Sequence, residues 1–119
     1  MADGKKYDLG FLRRIAGDDD TFIIDMLETF RSTAPGIVDK MQQYLHQKRY
    51  DALAREVHRF IPGISFLGIK DLEEDLIKVE EYSKNNQHLE QLPDLVKKVR
   101  ENVELLINTF TEDFNLKSC

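Results

Sequence analysis

Between Ile23 and Leu45 the apolar residues Ile23, Leu27, Phe30, Ala34, Ile37, Met41 and Leu45 follow one another at steps of four and three without losing phase. Only a helix buries residues at that spacing on a single face; a strand needs alternation with period two. With its start in the aspartates before Ile23, the helix that carries this stripe is about 40 Å long at 1.5 Å per residue, which needs partners of similar reach. The same rhythm returns in Leu53, Val57, Phe60, Ile64 and Leu67, in Leu72, Leu76 and Val79, and in Leu92, Val96, Val99, Val103, Leu106 and Phe110. Leu95, Ile107 and Phe114 widen the last face. No segment alternates with period two, and no repeat or low-complexity tract is present. Four apolar-faced helices joined by short links predict an all-α fold, an antiparallel four-helix bundle with a short extra N-terminal helix lying across one end.

The boundaries follow from local chemistry. Residues 1–7 read as a flexible lead-in, 8–114 as the bundle and 115–119 as a tail. Asp8 can cap a short helix carrying Leu9, Phe11, Leu12 and Ile15 that stops at Gly17. Asp18, Asp19 and Asp20 favour a helix start by capping and by placing negative charge at the positive end of the dipole. Pro35 falls inside the long stripe and predicts a kink near Arg31, in one helix rather than two, because the phase survives it. Gln47 to Tyr50 is a polar link, and Asp51 or its neighbour opens the next helix. Pro62 removes the helical partner of the His58 carbonyl, which predicts a bend just after that histidine, and Gly68 closes the helix. Asp71 and Glu74 have capping-box spacing for the helix that follows. The acidic residues Glu73, Glu74, Asp75, Glu80 and Glu81 read as its solvated face. Asn85 and Asn86 mark a turn, and Pro93 fits the opening turn of the last helix.

Composition narrows the function classes. With 119 residues the chain forms one domain, and 33 % charged beside 41 % hydrophobic residues suits a folded helical protein. No apolar run approaches the ~20 residues of a membrane span, and the N-terminus has no signal-peptide core, so the expectation is a cytoplasmic protein without membrane contact. A net charge of −5 argues against general nucleic-acid binding. Cys119 stands alone and suggests neither a disulfide nor a zinc site; no metal site is expected anywhere. Against the acidic background, Lys48, Arg49, Arg55 and Arg59 make the approach to the central histidine locally basic. That is either an ordinary solvated face or a positive rim for an acidic partner.

The central histidine is His58. It lies off the Leu53 to Leu67 stripe, roughly 140° round from its centre, and so faces outward from a rigid element. Ala54, Arg55, Ile61, Pro62 and Ser65 share its face at spacings of three, four and seven, as a small apolar collar with a cation at the edge. His46 and His88 have no acidic or cysteine neighbour poised for chemistry and read as surface residues.

These residues resemble the histidine phosphotransfer (HPt) domains of multistep phosphorelays. That family's pattern is a histidine followed after one residue by an apolar residue, then commonly Lys and Gly, with an apolar–Gly pair nine and ten positions after the histidine. His58, Phe60, Leu67 and Gly68 fit, while Ile61 stands where Lys is usual and Pro62 where Gly is usual. Gly17 and Asp18 followed by Phe22, Met26, Leu27 and Phe30 look like the family's first long helix, and the resemblance runs from Asp8 to about Phe114.

The resemblance implies the same bundle and a function. His58 would accept a phosphoryl group from the aspartate of a response-regulator receiver domain and pass it to another receiver; a hybrid histidine kinase is a further implied partner. The domain would bind no cofactor, the Mg²⁺ being expected in the partner receiver. Neutral imidazole, with an unperturbed pKa of ~6.5, is a competent nucleophile for this. With Ile61 unable to neutralise phosphoryl charge, Arg55 and Arg59 become the candidates. On the helical wheel Arg55 lies roughly 60° from His58 and Arg59 roughly 100°, which favours Arg55. Ala54, Ile61, Pro62 and Ser65 are candidates for docking the partner, Ile61 alternatively tucking into the core edge. Two other readings stand beside the carrier: a degenerate HPt-like module that binds receivers or kinases without carrying phosphate, and a structural helical adaptor. An independent enzyme is disfavoured, since no second catalytic group pairs with His58 in the sequence.

Overall fold

Asp19 opens the long helix, its carboxylate accepting the Thr21 N–H at 3.0 Å. The computed structural model describes residues 7–17 and 19–114, which leaves the proposed lead-in before Tyr7, Asp18 and the 115–119 tail with Cys119 outside the described residues. The described residues form five α-helices: α1 (Gly10–Ala16), α2 (Asp20–His46), α3 (Tyr50–Phe66), α4 (Lys70–Asn85) and α5 (Leu92–Phe114), with a 3₁₀ turn at Leu89–Gln91 leading into α5. Helices α2 to α5 pack in a closed ring, each against the next and α5 back against α2, while α1 lies on α2. The links between successive long helices are short, and neighbours run antiparallel.

The core is the set of stripes. All five stripe positions of α3 with its C-cap, Leu53, Val57, Phe60, Ile64 and Leu67, are buried, and so are Leu72, Leu76 and Val79 of α4 and Leu92, Val96, Val99, Val103, Leu106 and Phe110 of α5. In α2 the pattern holds from Ile23 through Ala34 and then shifts: Val38 is buried and Ile37 only partly so. A strict four-three rhythm averages 3.5 residues per turn against the helix's 3.6, so over 27 residues the buried face drifts by a position. Phe30 stands at the centre, its ring 6.4 Å from Phe60 and 5.6 Å from Phe110.

Both internal prolines sit in unbroken helices, Pro35 in α2 and Pro62 in α3. Each is exposed, so the carbonyl four residues earlier loses its helical donor on the side where water can replace it. Helix α3 starts at Tyr50, one residue before Asp51, with Arg49 as N-cap. The capping box expected at Asp71 does not form: α4 starts at Lys70 behind Ile69, whose side chain makes no cap. Asp71 lies in the first turn instead, where its charge still favours the helix dipole. Asp8 contributes nearly as expected, its carboxylate accepting the Gly10 N–H at 2.8 Å, although Leu9 holds the N-cap position of α1. Leu12 is buried, whereas Phe11 and Ile15 are exposed, because a seven-residue helix lying on the bundle end offers only one side to it.

That end is closed by backbone. Gly68 has φ +65°, and the Asp8 N–H donates to the Leu67 carbonyl at 3.2 Å. A Cβ on Gly68 would stand 2.2 Å from the Asp8 carbonyl oxygen. Tyr7 continues the strap: its ring packs edge-on to Phe110 at 4.8 Å and its hydroxyl donates to Asp113 at 2.5 Å. Burial, then the hydrogen bond to Asp113 and that residue's charge, push the Tyr7 pKa well above the usual tyrosine range.

Candidate functional site

His58 lies two turns into α3, on the side facing α4. Its side chain is 74 % exposed, and Nδ1 is 2.8 Å from Oε2 of Glu80, a carboxylate from the middle of α4. An ionised carboxylate only accepts, so Nδ1 carries the proton and donates it. In the neutral ring that tautomer leaves Nε2 as the nitrogen with the free lone pair. Glu80 is itself only 22 % exposed, which limits how far the pair can swing.

The ring stands in an open groove between α3 and α4 lined by Asp51, Ala54, Arg55, His58, Arg59, Glu80 and Lys84. Its two arginines differ. Arg59 binds Glu56 at 2.8 Å, and Glu56 is buried, so this guanidinium is committed to neutralising a carboxylate inside the bundle wall. Arg55 forms no ion pair among the described residues, and neither does Lys84 across the groove. The cations available to an anion beside His58 are therefore Arg55 from α3 and Lys84 from α4.

The expected collar is largely absent. Ala54 lines the groove but is 9 % exposed, and Ile61 is partly buried against the core. The wheel assumed a core on one side of α3, whereas the helix packs on both α2 and α4 and buries a wider arc, Ala52 and Glu56 included. Pro62 and Ser65 are exposed but belong to the following turns, outside the groove, and the Ser65 hydroxyl donates to Glu73. His46 and His88 are exposed, the latter with its ring 4.9 Å from that of Tyr82. Among the described residues no three His, Cys, Asp or Glu side chains gather as a metal site, and no helix is long and apolar enough to cross a membrane.

Sequence reasoning missed Glu80 and Lys84. In the sequence Glu80 reads as part of the acidic face of α4, and Lys84 carries no motif of its own. Their spacing of four, which puts both on one face of α4 next to the α3 histidine, is the signal that pairs them with the site.

A comparison with protein families finds that the model of the Hpt domain matches residues 25–109. The chain belongs to the Hpt domain family. No significant match is found among curated proteins or among solved structures. The matched span of this Hpt domain takes in α3, α4 and most of α2 and α5, so both walls of the His58 groove lie within it. It is an Hpt domain of phosphorelay signalling, with a bundle of helices as its fold.

Proposed function

We propose that this Hpt domain is a phosphoryl carrier, taking a phosphoryl group from a receiver-domain aspartyl phosphate onto His58 and handing it to a second receiver. The observation that carries this reading is the 2.8 Å bond from Nδ1 to Glu80 on a ring that is otherwise open to a visiting protein. In the transfer the Nε2 lone pair attacks phosphorus in line. The bond from phosphorus to the aspartyl oxygen breaks, and its electron pair returns to that carboxylate. Positive charge develops on the imidazole, and Glu80, already bonded to the opposite nitrogen, offsets it while holding the ring in the reactive tautomer. Arg55 and Lys84 are placed to offset the charge on the phosphoryl oxygens, a task for which Arg59 is less available because it holds Glu56. The Mg²⁺ of the reaction belongs to the receiver in this reading, and no residue of this chain is assigned to it. A hybrid histidine kinase is a second source of the phosphoryl group, through its own receiver.

Incubation with phosphorylated receivers tests the reading. It predicts acid-labile label on the parent chain and none on His58→Gln; equal label on both excludes His58 as the acceptor. One observation favours a second reading, a module that docks receivers without carrying phosphate: Ile61, at the position where the family commonly has Lys, packs toward the core and offers no charge. Receiver binding that survives His58→Ala, with no label on the parent, would select that reading.

A further inference from the structure

The His58 groove does not end at His58. A second depression, lined by Lys48, Arg49, Tyr50, Asp51, Arg55 and Asn86 among others, adjoins it and shares Asp51 and Arg55 with it. Together they form a trough that follows α3 from the histidine back to the α2–α3 link, about 14 Å for nine residues of helix. Its walls carry five cations, Lys48, Arg49, Arg55, Arg59 and Lys84, against two carboxylates, Asp51 and Glu80. Glu80 is already bonded to His58 and Arg59 to Glu56. The other four cations have no ion-pair partner among the described residues. Lys48 and Arg49 are exposed, and the Arg49 guanidinium is held 5.3 Å over the Tyr44 ring, so that cation is positioned rather than free-swinging. The whole chain has a net charge of −5, so its surface outside the trough is more acidic still.

Resting on the carrier reading, we propose that this trough is the electrostatic docking surface for an acidic segment of the receiver that exchanges phosphate with His58. A partner lying in the trough covers the histidine, and one that brings an aspartyl phosphate brings negative charge to the same end. The acidic surroundings restrict the occupant to a short anionic stretch, because a long polyanion such as nucleic acid would be repelled beyond either end of the trough. Lys48 and Arg49 stand about two turns or more from the ring along the helix. Their effect is on encounter and partner choice, not on the chemical step.

The test reads transfer to His58 and binding of the unphosphorylated receiver in parallel, using the receiver domains of the same organism, for the parent and for Lys48→Glu with Arg49→Glu. Helix content by circular dichroism verifies the fold, and Lys48→Ala with Arg49→Ala serves as the milder variant. The expected result is a fall of about tenfold in kcat/KM for the charge reversal at low salt, with kcat unchanged and the difference vanishing as salt screens it. The alanine variant should fall between the two. A parent that binds receivers in a salt-sensitive, reversal-sensitive way yet takes no label supports the trough and contradicts the carrier. Equal kcat/KM and binding for parent and reversal overturn the proposal, as does a parent that neither binds nor is labelled. Tight binding of an oligonucleotide that the reversal abolishes, with transfer untouched, also overturns it.

Discussion

His58 and Glu80 come from adjacent antiparallel helices and meet at 2.8 Å through Nδ1 and Oε2, on a side chain that is otherwise 74 % exposed. The bundle thereby makes the orientation of the imidazole a property of helix packing, since α3 supplies the ring and α4 the carboxylate that holds Nδ1. Glu80→Gln should still accept from Nδ1–H through its amide oxygen but lose the charge that offsets the developing imidazolium. The expected outcome is transfer slowed by about tenfold, the order of one charge-assisted hydrogen bond at a partly open site, with melting temperature unchanged. Single-turnover transfer from a phosphorylated receiver measures it, and a rate equal to the parent's would remove Glu80 from the mechanism.

Arg55 and Arg59 should separate by phenotype. Arg55→Ala takes away an unpaired cation beside His58, so transfer should slow several-fold, roughly the equivalent of 1 kcal/mol, with little change in stability. Arg59→Ala strands the buried Glu56 carboxylate and should cost about 1–3 kcal/mol of folding stability. Chemical denaturation set beside transfer kinetics checks both; a stability loss confined to Arg55→Ala would reverse the assignment.

Much of this architecture was legible in the sequence because helical periodicity reports burial directly. The α3, α4 and α5 stripes became the core residue for residue, and the two prolines were tolerated where the unbroken phase said they would be. His58 was legible for the converse reason, as a polar residue opposite a stripe. What periodicity cannot carry is the relation between helices. The Glu80 contact, the Lys84 side of the groove, the withdrawal of Ala54 and Ile61 and the diversion of Arg59 to Glu56 all depend on how close α2 and α4 come to α3. The failed Asp71 cap is a smaller case: a capping pattern fixes a start only to within a residue or two when the neighbouring turn is set by tertiary contacts.

Two glycines should respond in opposite ways to alanine. At Gly68 the left-handed backbone and the Asp8 carbonyl leave no room for a Cβ, so Gly68→Ala should cost roughly 2 kcal/mol or more and loosen the Tyr7–Asp8 strap. At Gly63, inside α3, an added Cβ meets nothing within 4 Å, and Gly63→Ala should be neutral or stabilising by up to about 1 kcal/mol. Thermal denaturation of the two variants decides the matter, and equal effects would contradict the strap.

The strap also predicts a pH dependence. The Tyr7 hydroxyl is held protonated above its ordinary pKa by burial and by Asp113, so its folded-state pKa exceeds its unfolded one of ~10. The corresponding stability is fully present below pH ~10 and is lost as pH rises beyond it, because the unfolded chain releases that proton first. Tyr7→Phe should be less stable than the parent at neutral pH by about 1 kcal/mol and should lose less stability on alkalinisation. Parallel stability curves on both sides of pH ~10 would contradict this assignment.

Locating the phosphorus tests the central claim most directly. After transfer from a phosphorylated receiver, heteronuclear NMR that couples ³¹P to the imidazole protons identifies which ring nitrogen is modified. The account predicts a single phosphohistidine at His58, on Nε2. Phosphorus on Nδ1, on another residue, or nowhere on the chain would contradict it.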